Sequence, residues 1–146
     1  MIKEILVCGG TGCLSSKSEQ IISNLKSAVS FHGLDKEVTI KKTGFCEKGP
    51  IVKILPENTF YIEVSPDDAG EIIESHIKNG KIVERLLFVD PRTKERIHDG
   101  KDMQFYQKQT RIALKNCGVI NPEDINDYIA HDGYKALKKV LTEMSS

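Results

Sequence analysis

Ile5-Leu6-Val7-Cys8-Gly9-Gly10-Thr11-Gly12-Cys13 is the stretch on which the reading of the whole chain turns. An apolar run of the buried-strand type leads straight into a glycine-rich turn that carries two thiols five positions apart. Glycine opens backbone conformations closed to other residues, so both sulfurs are expected to face one point, with amides of Gly9, Gly10 and Gly12 directed towards it. Such a turn is a place to hold a metal.

Working outward, Ser15 or Ser16 is placed to cap a helix, Ser16 and Glu19 have capping-box spacing, and Ile21, Leu25, Ala28, Val29 and His32 recur at helical intervals. Gly33 ends that helix, and residues 37 to 42 alternate as a strand, which makes a β-α-β unit expected to close with parallel strands. Thr43 to Gly49 is a loop holding Cys46. Ile51 to Leu55 and Phe60 to Val64 read as a hairpin around a Pro56-Glu57-Asn58 turn. Ser65-Pro66 then opens a helix with Ala69, Ile72, Ile73, His76 and Ile77 on one face and Gly80 at its end. The order β-α-β-β-β-α predicts an α/β fold of thioredoxin-like type, a small mixed sheet with helices on both faces, over residues 1–89. The loops after the two parallel strands should lie side by side, bringing Cys46 near Cys8 and Cys13. Residues 90–102, polar with Pro91 and Gly100 near the ends, read as a linker. Residues 103–146 read as a helical tail: one helix over 104–116, a second started by Asn121-Pro122, and a third running from Gly133 with Leu137, Val140, Leu141 and Met144. So short a helical piece is marginal alone and is expected to pack on something outside this chain.

The composition excludes several function classes. With 21 acidic and 21 basic side chains in 146 residues, and only short lysine pairs, the chain does not read as a nucleic-acid binder. No apolar segment approaches the ~20 residues of a membrane helix, and the N-terminus lacks the apolar core of a signal peptide, so membrane insertion is not expected and the cytoplasm is. In that compartment the four cysteines, Cys8, Cys13, Cys46 and Cys117, are expected to be reduced, metal-bound or redox-active rather than disulfide-bonded.

Three chemistries compete for Cys8-x4-Cys13. A thioredoxin dithiol wants Cys-x-x-Cys, and structural zinc prefers short knuckles with a second matching pair. An iron-sulfur cluster tolerates wider spacing, since each of its two irons takes two thiolates and glycine amides can hydrogen-bond the sulfides. His32 and His76 are more simply read as satisfied or surface side chains, Asp67-Asp68 as favourable charge at a helix start, and Glu47-Lys48-Gly49-Pro50 as shaping the Cys46 loop.

The runs Val7-Cys-Gly-Gly-Thr-Gly-Cys13, Thr43-Gly-Phe-Cys-Glu-Lys-Gly-Pro-Ile-Val52 and Val83-Glu-Arg-Leu-Leu87 resemble the thioredoxin-like 2Fe-2S ferredoxin domain. They are similar in particular to the copy fused to the start of the NADH-binding flavoprotein subunit of NADH- or NADP-linked iron hydrogenases, a relative of complex I-like NADH dehydrogenase. The stretch from Gln109 to Ala130, followed by Gly133 to Leu137, looks like the opening of that flavoprotein. The resemblance implies a 2Fe-2S cluster on Cys8, Cys13 and Cys46, tuned by amides of Gly9, Gly10, Gly12 and Gly44. It implies single-electron relay between a flavin and a partner subunit of the same hydrogenase or dehydrogenase complex. FMN and NADH are expected only in a remainder of the subunit, because no Gly-Arg-Gly-Gly-x-Gly-Phe loop occurs here, and this piece carries no hydride chemistry of its own. One departure stands out: the family's second loop reads Thr-Gly-Cys-x-Gly-Phe-Cys, whereas this chain reads Thr43-Gly44-Phe45-Cys46, three residues shorter and one ligand poorer. Cys117, read as a packed helix-end residue, is not expected to fill the gap. Either another group completes a three-cysteine site, or the domain is a cluster-less docking module of the same complex.

Overall fold

Residues 2–44, 48–99, 102 and 110–144 are described by the structure, a computed structural model. The apolar run of the opening stretch becomes β1 (Lys3–Cys8), whose last four residues are buried because the strand lies inside a four-stranded sheet of order β2-β1-β3-β4. β2 (Val38–Thr43) pairs with β1 in parallel, from Lys3 opposite Val38 to Cys8 opposite Thr43. On its other side β1 runs antiparallel to β3 (Val52–Leu55), with Ile5 opposite Ile54 and Val7 opposite Val52, and β4 (Thr59–Tyr61) completes the hairpin. Asn58 turns that hairpin at φ 58°, a left-handed conformation that asparagine tolerates better than most residues.

Alternation along β1 divides the molecule into two cores. Ile5 and Val7 join Val52, Ile54 and Tyr61, and on them pack Ile21, Leu25 and Val29 of helix α2 (Ser18–Phe31) and Ile72 and Ile73 of the π-helical segment Ile72–Lys78. Burial of each of these aliphatic side chains contributes about 1.5–3 kcal/mol, which makes this face the main source of stability. Cys8 points the other way, into a smaller cluster with Cys13, Ile51 and Phe60, flanked by Ile62, Phe88 and Ile97. Helices were expected on both faces. The two long helical segments instead share one core, and a two-stranded hairpin covers the cysteine face.

Local structure departs from the sequence expectation in four places. The chain turns helical directly after Gly10, forming α1 (Thr11–Ser15), so Ser15 and Ser16 close a helix rather than open one. The Ser16–Glu19 capping box does not form: α2 starts after Lys17, which is left-handed at φ 66° and provides no side-chain cap. The helix after Ser65-Pro66 is α-helical only over α3 (Asp68–Glu71) and continues as a π-helical segment, Ile72–Lys78, before Gly80 ends it at φ 66°. The predicted linker is partly structured, since β5 (Phe88–Val89) and β6 (Arg96–Ile97) pair antiparallel across a turn tied by the Asp90 carboxylate to the Arg92 and Thr93 amides.

In the tail, residues 110–120 form turns rather than the end of a helix, and 103–109 lie outside the described residues. The second tail helix, α4 (Ile125–Ala130), starts later than predicted, at an Asp124 cap whose carboxylate accepts from the Asn126 amide at 2.9 Å. The third is α5 (Lys135–Glu143). The tail rests on β2 through Lys42–Glu123 at 3.1 Å and Lys41–Asp127 at 4.0 Å. The hydrogen bond that Lys41 donates to the Glu4 carboxylate, with the nearby acidic side chains, outweighs partial burial and raises the Lys41 pKa. Ile112, Leu114, Ile129, Leu137 and Leu141 are exposed. Among the described residues, no helix is long and apolar enough to cross a membrane.

Candidate metal centre

The two thiols of the opening stretch meet. Cys8 ends β1, Cys13 sits on α1, and the Cys13 thiol donates to the Cys8 sulfur at 2.9 Å with both residues buried. Strand and helical turn together bring the sulfurs together: Cys8 is fixed by the hydrogen bond its amide donates to the Ile51 carbonyl at 3.0 Å, and α1 folds Cys13 back over it. Sulfur donors in such a pair select zinc, copper(I) or iron-sulfur groups over harder ions.

The glycines work differently from expectation. Gly10 has an ordinary φ of −64°, and the positive-φ glycines among the described residues are Gly33, Gly80 and Gly118. The Gly9 amide is not available to the site, because it donates to the Thr43 carbonyl at 2.8 Å, extending the β1–β2 ladder. Gly12 lies in the first turn of α1, where amides have no intrahelical partner. Gly44 presents its carbonyl to the Cys117 thiol at 2.6 Å. The glycine with a steric requirement is Gly49: a Cβ there would lie 2.4 Å from the Cys13 sulfur, so only glycine lets this loop cover the thiol pair. The Gly49-Pro50 dipeptide was the sequence signal for a special turn, but not for this contact.

A second residue was not anticipated. Register places Thr43 beside Cys8 on the same face of the sheet, and its hydroxyl is buried with no hydrogen-bond partner among the described residues. An orphaned buried hydroxyl costs about 1–3 kcal/mol and calls for an acceptor. Phe60, Ile62, Phe88 and Ile97 wall this face with apolar side chains, and the Lys48 ammonium lies 4.9 Å above the Phe88 ring.

Cys46 lies outside the described residues. Among the described residues, no three His, Cys, Asp or Glu side chains converge to hold a single ion. His76 takes no part in the site, being buried against Tyr61 with its Nδ1 2.7 Å from the phenol oxygen, which also accepts the Val83 amide. Burial lowers the His76 pKa and pushes that of Tyr61 up to about 12. Asp68 is likewise structural. Burial raises its pKa, but bonds from the Ser65 amide, Arg85 and the Ser65 hydroxyl outweigh that and hold it below the usual value.

No family model matches the chain. Over 77 residues it is 40% identical to a 2Fe-2S ferredoxin of Clostridium pasteurianum, covering 51% of this chain and 76% of that protein. It is 45% identical over 42 residues to a 2Fe-2S ferredoxin of Aquifex aeolicus, spanning 29% of this chain and 38% of the relative. A match of 64% identity over 36 residues joins it to the NADP-reducing hydrogenase subunit HndC of Solidesulfovibrio fructosivorans, covering 25% of this chain but 7% of that subunit. Among solved structures, the wild-type thioredoxin-like 2Fe-2S ferredoxin from Aquifex aeolicus superposes with a TM-score of 0.54 at 28% identity, over 61% of this chain and 98% of that one.

Proposed function

Because the chain belongs to the thioredoxin-like 2Fe-2S ferredoxins, we propose that Cys8, Cys13 and Cys46 hold a 2Fe-2S cluster through which the domain relays single electrons within a hydrogenase or NADH dehydrogenase complex. The observation that carries this reading is the buried Cys8–Cys13 pair under Gly49, two thiols at 2.9 Å covered by a loop position that admits no side chain. The donor set suits the group: soft sulfurs, an unsatisfied Thr43 hydroxyl on the same face, and an apolar wall.

The cluster, when bound, supplies one-electron redox chemistry at a potential set by ligands, hydrogen bonds and solvent access. The chain's own residues do the rest. Cys8 and Cys13, as thiolates, would be the residues that hold the cluster on this side of the sheet. Thr43 has an O–H to offer to sulfur, and the Gly10 and Gly12 amides are the proposed backbone donors. Phe60, Phe88 and Ile97 limit the access of water.

The finer placement follows the hydrogenase similarity. The exposed apolar side chains of the tail would rest against the flavin- and NADH-binding remainder of the subunit, and the cytoplasm is its proposed compartment. FMN and NADH bind in that remainder. Anaerobic reconstitution of the full chain, followed by iron and acid-labile sulfide analysis, visible absorption and EPR of the reduced protein, tests the reading. About two irons and two sulfides per chain are expected; a colourless protein without iron would leave the docking-module alternative.

A further inference from the structure

We propose that Thr43 is the side chain that sets the potential of the site: its hydroxyl donates a hydrogen bond to sulfur of the bound cluster and favours the reduced form. This role deepens the reading of Cys8 and Cys13 as ligands and rests on it.

Position comes from the pleat of β2. Val38 lies in the main core and Ile40 packs against it, so Thr43, an odd number of positions further on, faces the other side of the sheet, where Cys8 and Cys13 lie. Parallel pairing makes Thr43 the direct partner of Cys8 at the end of both strands. The Gly9 amide donates to the Thr43 carbonyl at 2.8 Å and fixes the backbone there. Thr43 is 3% exposed, and its hydroxyl has no hydrogen-bond partner among the described residues, the two cysteine sulfurs included.

Packing gives no reason for that oxygen. Valine has nearly the same shape and suits a buried strand position as well, whereas a hydroxyl buried without an acceptor destabilises the fold. Cluster chemistry does give a reason, because it brings negatively charged sulfur acceptors to this face. Negative charge on sulfur grows when an electron is added, so a donor bonded there is worth more in the reduced form and raises the potential. The apolar wall of Phe60, Ile62 and Phe88 keeps the local dielectric low, which strengthens the bond. The single electron comes from the reductant, dithionite in the test below; the hydroxyl keeps its proton, and no covalent bond forms or breaks.

The test compares the full-length chain with Thr43→Val, which deletes the O–H at nearly constant shape, and Thr43→Ser, which keeps it. After anaerobic reconstitution with iron and sulfide, a dithionite titration followed by EPR should show the oxidised-to-reduced ratio of Thr43→Val raised on the order of tenfold at a fixed potential, a midpoint about 59 mV lower for a one-electron couple, with Thr43→Ser close to wild type. The Fe–S stretching bands in resonance Raman spectra should lose part of their shift in D2O in Thr43→Val and keep it in Thr43→Ser. Apo chains should answer with the opposite sign: freed of the orphaned hydroxyl, Thr43→Val should resist urea better than wild type, with a folded-to-unfolded ratio raised about fivefold or more. If Thr43→Val folds but sheds iron on desalting while Thr43→Ser keeps it, the same bond also supports retention and the assignment stands. If the wild type loads and Thr43→Val matches its potential, if both variants shed iron, or if apo Thr43→Val is the less stable, the Thr43 assignment falls and the ferredoxin reading stands. A wild-type chain that takes up no iron overturns both.

Discussion

Gly49 sets the tightest tolerance at the site, and a single methyl group tests it. Gly49→Ala would drive a carbon into the Cys13 sulfur, so the loop or the thiol must move. The expected outcome is a loss of about 1–3 kcal/mol in denaturant unfolding, together with reduced iron retention after reconstitution. His76 gives a second test, in pH. Its folded pKa is depressed, so below its unfolded value near 6.5 the unfolded chain binds more protons than the folded one. Stability contributed by the neutral imidazole is present above about pH 6.5 and is lost as pH falls through the folded value. Thermal melts from pH 8 to 5 should show that loss in the wild type and a flatter profile in His76→Gln, which keeps a polar partner for Tyr61.

The helix-opening carboxylate Asp68 shows how one side chain can tie two elements together. It accepts from the Ser65 amide and hydroxyl, both at 2.7 Å, and from Arg85 at 2.6 Å, while Arg85 also pairs with Glu71. Asp68→Ala removes a cap-like acceptor and should cost about 1–2 kcal/mol. Arg85→Ala, at a more exposed guanidinium, should cost about 0–1 kcal/mol, both measured by urea unfolding. Elements of this size also mark what could be read in advance. The β-α-β-β-β-α order was legible because Ile5-Leu6-Val7, residues 37 to 42 and the Ile51 and Phe60 runs carry strand patterns, and because Ile21, Leu25 and Val29 repeat at helical spacing. The π-helical continuation at Ile72 was not, since it keeps the same apolar face as an α-helix. β5 and β6 are two residues each, too short for periodicity to register. The Cys8–Cys13 pair could be read from spacing, whereas the Cys117–Gly44 contact could not: nothing local in either segment encodes a meeting across the whole domain.

For the molecule as a whole, the two cores separate stability from chemistry. The main core lies on the helical face of the sheet, and the cysteines lie on the other. Cys13→Ser should therefore abolish iron uptake while lowering the unfolding midpoint of the apo chain only modestly, by about 1 kcal/mol or less, a contrast that reconstitution and denaturant melts can measure on one sample. The tail behaves as a third region, with its apolar residues uncovered. Leu141→Ser, at a side chain 74% exposed, should change stability by less than about 0.5 kcal/mol, as checked by thermal melting.

The residues between β4 and the tail carry one more consequence. Phe60 donates its amide to the His98 carbonyl and Ile62 to the Leu86 carbonyl, each at 2.9 Å, and Thr59 and Tyr61 form isolated bridges to Asp99 and Leu87. A sheet margin left open is a template on which a strand from a neighbouring molecule can add, the first step of aggregation. Here the chain's own backbone occupies that template along β4, with Leu86 and Leu87 from the end of the domain and His98 and Asp99 from the segment first read as a linker, and so guards the folded domain against strand addition there.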